Sequence, residues 1–266
     1  MVIRSGDSLI LRLISAAAGI PLLILAAWWG GWPLILFVGV LYFTGVREML
    51  RLLSGVGLTP RYLLAYVCGL VLVAAAYFRN GEYYPEALIC CMLVCVLPLI
   101  FLFPRYTPPE AGVTFLSVAY LSLFFCLYLI RLLPNGFYWL LLTLVGTWAF
   151  DTLAYFVGRR FGRQRMTPEL SPGKTLEGFC AGLAGSSVAA GIFAFYLPFN
   201  PLLLSLLGLV LGGVCQVGDL VLSAVKRATG HKDTGFLIPG HGGVLDRFDS
   251  MLLSAPAVYV VAGWLS

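Results

Sequence analysis

The residues best suited to chemistry lie in one polar run near the C-terminus, from Gly218 to Asp249. Asp219 follows an apolar stretch in this run, and Asp246 and Asp249 open the last apolar stretch of the chain. Carboxylate oxygens suit Mg²⁺, which takes about one or two carboxylates and fills its other positions with water and phosphate oxygens. The run therefore predicts a site for phosphoryl or nucleotidyl transfer.

Helical spacing would bring these side chains together. If the chain after Gly218 is helical, Asp219, Ser223 and Lys226 share one face, as do Asp246 and Asp249 on a second helix. Two helices can thus direct carboxylates at one point. Between them lie basic side chains and glycines that can approach an anion, namely Lys226, Arg227, Lys232, Gly240, His241, Gly242 and Gly243, with the acid Asp233 beside Lys232. The alternative is a set of charges that only fixes membrane topology, but topology requires Lys and Arg and does not require the acids.

A second polar stretch, from Ser171 to Thr175, ends like a phosphate-binding loop. Pro168 stands where that loop requires glycine, and no strand is predicted before it, so the P-loop interpretation fails. Lys174 and the start of the following helix can still offer an ammonium and N–H groups to a phosphate. A simple helix-capping loop is an equally good interpretation.

Three further side chains have two interpretations each. Asp151, inside an apolar span, either pairs with an arginine or lines a polar cavity, and an acid in such a position favours the cavity. His241 contacts phosphate or is a turn residue, and the spacing argues against a zinc site, because His231 is ten residues away and no third ligand type is nearby. Lys232 contacts phosphate or pairs with Asp233.

Composition places these stretches in a membrane protein. Of 266 residues, 60% are apolar and 11% are charged, against roughly 25% charged in soluble domains. The seven cysteines form no CxxC pair, and no basic, aromatic-interleaved surface indicates nucleic acid. Apolar spans predict an all-α, polytopic protein with about nine transmembrane helices, at roughly residues 9–29, 32–50, 61–79, 84–103, 111–133, 136–158, 175–197, 200–225 and 244–264.

The distribution of basic residues predicts the orientation. Cytoplasmic loops carry the excess of Lys and Arg, and nearly all of it falls at the N-terminus and in every second connection. This pattern predicts a cytoplasmic N-terminus. It also puts the loop at Lys174 and the loop at Lys232 on the same, cytoplasmic side.

The motifs resemble a known family. The run Ser223 to Asp249, with Lys226-Arg227, Lys232-Asp233, Pro239-Gly-His-Gly-Gly243 and Asp246-Arg-Phe-Asp249, resembles the signature of phosphatidate cytidylyltransferases. Asp151, the Ser171 to Thr175 segment and Gly218-Asp219 also match that family's pattern. Gly173 departs from it, because many members have a second basic residue there. The resemblance is strong in the C-terminal half, while residues 1–140 match only as hydrophobic spans.

The resemblance implies a reaction in which CTP and phosphatidic acid give CDP-diacylglycerol and pyrophosphate with Mg²⁺. It also implies a second cation such as K⁺, a homodimer among membrane lipids, and a place in a bacterial inner membrane with a cytoplasmic active site.

Roles follow for the residues of the motif. A phosphate monoester is already a nucleophile, so the protein must mainly neutralise and align two polyanions. We assign Asp219 and Asp246 as the principal Mg²⁺ ligands, with Asp249 as a further ligand. Phosphate contacts are assigned to Lys226, Arg227, Arg247, Lys174 and Gly240 to Gly243, and substrate binding also to Ser171, Thr175, Ser223, Lys232 and Asp151.

The positions of these motifs predict that the chain has two parts with different functions. Residues 1–133 are predicted to be a lipid or dimer scaffold, and residues 134–266 the catalytic transmembrane domain. A transporter is the main alternative. It predicts structural repeats in the two halves of the chain, whereas here the polar motifs lie in one half. The aspartate pattern of CDP-alcohol phosphotransferases is not found, and a purely structural scaffold would not need the run from Gly218 to Asp249.

Overall fold

The structure, a computed structural model, describes residues 19–235 and 242–265. Most of these residues are helical. The elements are α1 (Gly19–Trp29), α2 (Gly31–Ser54), α3 (Tyr62–Tyr77), α4 (Tyr84–Val96), α5 (Pro98–Leu102), α6 (Pro108–Ser122), α7 (Phe125–Leu132), α8 (Gly136–Phe161), β1 (Arg165–Thr167), β2 (Ser171–Thr175), α9 (Leu176–Ile192), α10 (Pro201–Ala228) and α11 (Leu245–Leu265), with short 3₁₀ turns at Phe78–Gly81 and Phe193–Phe195.

Eight helical segments of the described chain are long and apolar enough to cross a membrane, and α1 is a shorter apolar helix. The predicted all-α, polytopic architecture is therefore confirmed. The first predicted span, 9–29, lies partly outside the described residues. The predicted orientation of the helices stays a prediction.

Two predicted helices are interrupted. The span expected at 84–103 breaks between α4 and α5, where Pro98 begins the second piece. The span expected at 111–133 breaks between α6 and α7, where the amides of Leu123 and Phe124 bind carbonyls three residues back. Such bonds tighten a helix into a 3₁₀ turn. Apolar composition alone does not reveal either break.

The connection after α8 contains a small antiparallel hairpin that the sequence did not predict. Strands β1 and β2 pair with Arg165 opposite Thr175 and Thr167 opposite Ser171. Because Lys174 lies on β2, its backbone is held by strand pairing and not by a free loop. The hairpin leads directly into α9, whose first residue is Leu176.

The chain forms two compact units. Within the described residues, the first comprises 19–129, 228–235 and 242–248, and the second comprises 130–227 and 249–265. In the first unit α2 packs against α3 and α6, around the buried ring of Tyr42. In the second unit α8 and α9 form the most extensive helix pair. The functional division predicted at residues 133 and 134 stays a prediction, because compactness does not test function.

Candidate active site

The second unit contains an ion pair between two of the predicted site residues. Lys174 Nζ lies 2.7 Å from Asp219 Oδ2, which joins the hairpin to α10. The lysine side chain is 17% exposed and the aspartate 33%. Lys174 Nζ is enclosed and, among the described residues, has no hydrogen-bond partner besides this carboxylate. An ammonium carries three N–H donors, so the group retains capacity for an additional anion.

The helical spacing predicted for α10 is confirmed. Ser223 Oγ donates to Asp219 Oδ1 at 3.2 Å, as expected for side chains four residues apart on a helix. Asp219 is therefore fixed on both oxygens, by Ser223 on one and by Lys174 on the other. This double restraint aims the carboxylate in one direction.

Two more carboxylates belong to this cluster. Ser250, on α11, donates through Oγ to Asp151 Oδ1 on α8 at 3.2 Å, and its amide donates to Asp249 Oδ1 at 2.8 Å. Ser250 is itself buried. The charges of Asp151 and Asp219 also act on Asp249. Three helices thus bring three acids into one polar cluster, and this favours the cavity interpretation of Asp151.

A glycine allows two of these helices to meet. A Cβ on Gly218 would lie 2.7 Å from the backbone oxygen of Asp249, which is closer than side-chain carbons approach backbone oxygens. The absence of a side chain immediately before Asp219 lets α10 lie against α11 at the level of the acids. This contact explains why a glycine precedes the aspartate.

The donor set suits a hard divalent cation. Asp151, Asp219 and Asp249 are all oxygen donors, and their cationic neighbours are Lys174 and Lys226. In the part of the chain that the structure describes, no group of three or more acid, histidine or cysteine side chains is arranged so that it could hold a metal ion by itself. Mg²⁺ does not require such a group, because it keeps several waters and binds substrate phosphates. The residues present therefore fit that ion.

The two interpretations of the Lys174 segment apply to different residues. Thr175 is the N-cap of α9, and its Oγ1 accepts the Gly178 amide at 3.2 Å. Its hydroxyl therefore caps a helix, as threonine commonly does. Lys174 joins the acidic cluster instead. Ser171 is half-buried at the start of β2.

Asp246 is part of a separate network in the first unit. Its Oδ2 accepts hydrogen bonds from the amide of Thr234 at 2.8 Å, from the hydroxyl of Thr234 at 3.0 Å and from the amide of Gly243 at 3.0 Å. The carboxylate thus organises the turn that leads into α11. Its assignment as a principal metal ligand stays a prediction.

Thr234 was not singled out from the sequence, and neither was the other acid of this network, Glu48 on α2. It is 3% exposed and accepts hydrogen bonds from Thr234 Oγ1, the Val244 amide and the Leu245 amide at 3.0, 2.9 and 3.0 Å. The available signal was an acid inside an apolar span, since intramembrane acids are functional candidates by default. This signal was weak, because Glu48 lies beside Arg47 near the end of the predicted span 32–50, where charged residues are common.

The remaining predicted residues have simpler surroundings. Arg227 is exposed, and its Nε donates to the carbonyl of Leu170 at 3.2 Å. Lys232 and Asp233 are both exposed, and the structure forms no ion pair between them. Arg247 is exposed on the first turn of α11, and Gly242 adopts a positive φ of 87° just before that helix. Gly240 and His241 lie outside the described residues.

Comparisons with known proteins agree with the motifs. The phosphatidate cytidylyltransferase of Synechocystis is 34% identical, over 93% of this chain and 94% of its own length. That of Staphylococcus haemolyticus is 31% identical over 98% of both chains. That of Bacillus subtilis is 40% identical, over 60% of this chain and 61% of its own. The sequence profile described as the cytidylyltransferase family matches residues 10–265, so this chain belongs to the cytidylyltransferase family.

Proposed function

We propose that this chain is a phosphatidate cytidylyltransferase, which converts CTP and phosphatidate into CDP-diacylglycerol and pyrophosphate. A phosphate oxygen of the lipid forms a bond to the α-phosphorus of CTP, and the bond from that phosphorus to the departing pyrophosphate breaks. Family membership and the names of the relatives support the reaction. The structural observation that best supports this reaction is the pairing of Lys174 with Asp219 inside a cluster of acids on apolar helices.

The chain's own residues have three tasks in this reaction. Lys174 Nζ, held beside Asp219, offers its remaining N–H donors to a phosphate. Lys226 adds positive charge next to Asp249. Arg227, one residue further at the end of α10, offers a guanidinium to a second phosphate. Together these groups neutralise and align two polyanions, which is the main requirement for transfer to a nucleophile that is already ionised.

A divalent cation fits the same cluster. Mg²⁺ bound there would neutralise charge on the triphosphate and assist departure of pyrophosphate. Asp219 and Asp249 would hold it, with Asp151 close by, and Asp246 is a further candidate by the family motif. We also propose a second cation such as K⁺, on the ground of the family resemblance.

The proposed setting is a bacterial inner membrane, with the active site facing the cytoplasm and the protein acting as a homodimer among membrane lipids. The spans of the described helices and the bacterial origin of the relatives support the membrane. The cytoplasmic site rests on the predicted orientation, which gives water-soluble CTP direct access. The homodimer rests on the family resemblance alone.

The test is a transfer assay on the purified full-length protein in mixed micelles with phosphatidate and Mg²⁺. CTP labelled at the α-phosphorus should transfer its label to the lipid fraction, while label at the γ-phosphorus should appear only in pyrophosphate. The two products should form in equal amounts. Removing Mg²⁺ with EDTA should stop both. CTP uptake into vesicles without any labelled lipid would favour the transporter and contradict this proposal.

A further inference from the structure

The carboxylate of Glu48, on α2, caps the start of α11, which lies 197 residues further along the chain. Its Oε1 accepts the Val244 amide and its Oε2 the Leu245 amide, which are the N–H groups at the start of α11. The first N–H groups of a helix have no partner within it, and a negative charge there also complements the helix dipole. Glu48 therefore fixes both the position and the direction of the first turn of α11.

The same carboxylate is linked to Asp246 through one hydroxyl. Thr234 Oγ1 lies 3.0 Å from Glu48 Oε2 and 3.0 Å from Asp246 Oδ2. A hydroxyl carries one proton, so it donates to one of the two carboxylates at a time. The amide of Thr234 holds Asp246 independently. Thr234 thus connects a buried acid on α2 to an acid of the family motif.

The backbone around this link leaves little room for adjustment. A Cβ on Gly235 would lie 2.9 Å from Glu48 Oε1, and a Cβ on Gly243 would collide with both Thr234 Oγ1 and Glu48. Two glycines therefore let the chain close around the Glu48 carboxylate. Because Glu48 is buried and closely packed here, a shift of its carboxylate must be accompanied by a shift of its partners.

We propose that Glu48 is a positioning residue for cytidylyl transfer, which acts through Thr234 and the first turn of α11 to orient Asp246 and Arg247. This inference rests on the proposed function. Glu48 would not touch substrate itself. Its role is to hold the Asp246 carboxylate and the Arg247 guanidinium in the orientation that the reaction requires. Residues that hydrogen-bond to metal ligands commonly have this role.

The experiment compares paired substitutions in the full-length protein. Glu48→Gln keeps the shape of the side chain but removes one acceptor and the charge, and Thr234→Val removes the hydroxyl at almost constant volume. Each should lower kcat per folded molecule by roughly 10- to 100-fold, with little change in KM for phosphatidate. Thr234→Ser, which restores the hydroxyl, should recover most of the lost kcat. Folded protein is counted from the monodisperse peak in detergent.

A second carboxylate in the same unit provides the control. Glu110 accepts the amide and hydroxyl of Thr107 at 2.7 and 3.1 Å and forms a capping box at the start of α6, where no motif residue lies. Glu110→Gln and Thr107→Val should lower the melting temperature but leave kcat per folded molecule unchanged.

Each outcome decides between positioning and mere stability. Normal kcat per folded molecule in both Glu48→Gln and Thr234→Val, or failure of Thr234→Ser to exceed Thr234→Val, overturns the inference. If Glu48→Gln is not recovered folded, the comparison of Thr234→Ser with Thr234→Val decides alone. An inactive wild-type protein would instead refute the proposed reaction, so the two failures are distinguishable.

Discussion

Lys174 Nζ and Asp219 Oδ2 lie 2.7 Å apart and join a strand of the hairpin to the end of an apolar helix. The pair brings together two side chains with opposite functions in the proposed reaction, one for phosphate and one for a cation. In this pair the two charges neutralise each other. Binding of CTP with Mg²⁺ would offer both groups new partners of the opposite charge.

The first prediction concerns Asp219. Replacing it by asparagine keeps the size of the side chain but removes the negative charge that faces Lys174 and would face a bound cation. We expect Asp219→Asn to lower turnover by roughly 10³-fold or more without preventing membrane insertion. The measurement is transfer of α-phosphorus label from CTP to lipid by purified variant and wild type. Near-normal turnover would remove Asp219 from the metal site.

The second prediction concerns Lys174. Lys174→Met retains the apolar stem but leaves Asp219 without its cation and the phosphate without its ammonium. Activity should fall by roughly 10²-fold or more, and the KM for CTP should rise. Lys174→Arg should retain part of the activity, because a guanidinium also pairs with carboxylate and phosphate.

The matched control for Lys174 is on the same hairpin. Arg165 is an exposed cation on β1, opposite Thr175. Arg165→Met removes a positive charge of the same segment without touching the acidic cluster, and its turnover should remain near that of the wild type. Equal losses in the Lys174 and Arg165 variants would mean that general positive charge, and not the ion pair, supports activity.

The third prediction tests the contact between α10 and α11 at Gly218. A methyl group there would lie 2.7 Å from the Asp249 carbonyl oxygen, so Gly218→Ala must push the two helices apart. We expect a lower melting temperature in detergent and a loss of activity, because Asp219 and Asp249 move with their helices.

Gly213, on the same helix, separates this steric effect from helix propensity. A Cβ at Gly213 would meet nothing within 4 Å, and alanine is favoured over glycine in a helix by roughly 0.5–1 kcal/mol. Gly213→Ala should therefore leave the melting temperature unchanged or raise it. A stable, fully active Gly218→Ala variant would show that the close approach of the helices is not required.

The local part of the site could be predicted from the sequence, and the long-range part could not. The shared face of Asp219 and Ser223 follows from helical spacing alone, and so does the order of the apolar spans. The contact of Glu48 with Thr234 joins residues 186 positions apart, and no local periodicity encodes such a pairing. The ion pair of Lys174 likewise depends on a hairpin whose strands are too short to leave a clear alternating pattern.

The breaks within α4–α5 and α6–α7 are unpredictable for a related reason. Continuous apolar composition satisfies the requirement for a membrane span whether the helix is straight or interrupted. Proline is tolerated in the first turn of a helix, so Pro98 alone does not predict the first break, and the turn at Leu123 and Phe124 contains only ordinary apolar residues.

The last prediction is topological. It tests whether the loop at Lys174 and the loop at Lys232 lie on the same side of the membrane. The distribution of Lys and Arg predicts that Lys174 and Lys232 face the cytoplasm. Single cysteines placed at these positions in a cysteine-free background should react with a membrane-impermeant maleimide only in inverted vesicles. A cysteine at Asn200, between two other spans, should react only from the opposite side. The native cysteines must first be replaced, since Cys90 and Cys180 are exposed in the structure. Reaction of positions 174 and 232 from opposite sides would refute a single cytoplasmic site, because a charged nucleotide cannot reach both faces of the membrane at once.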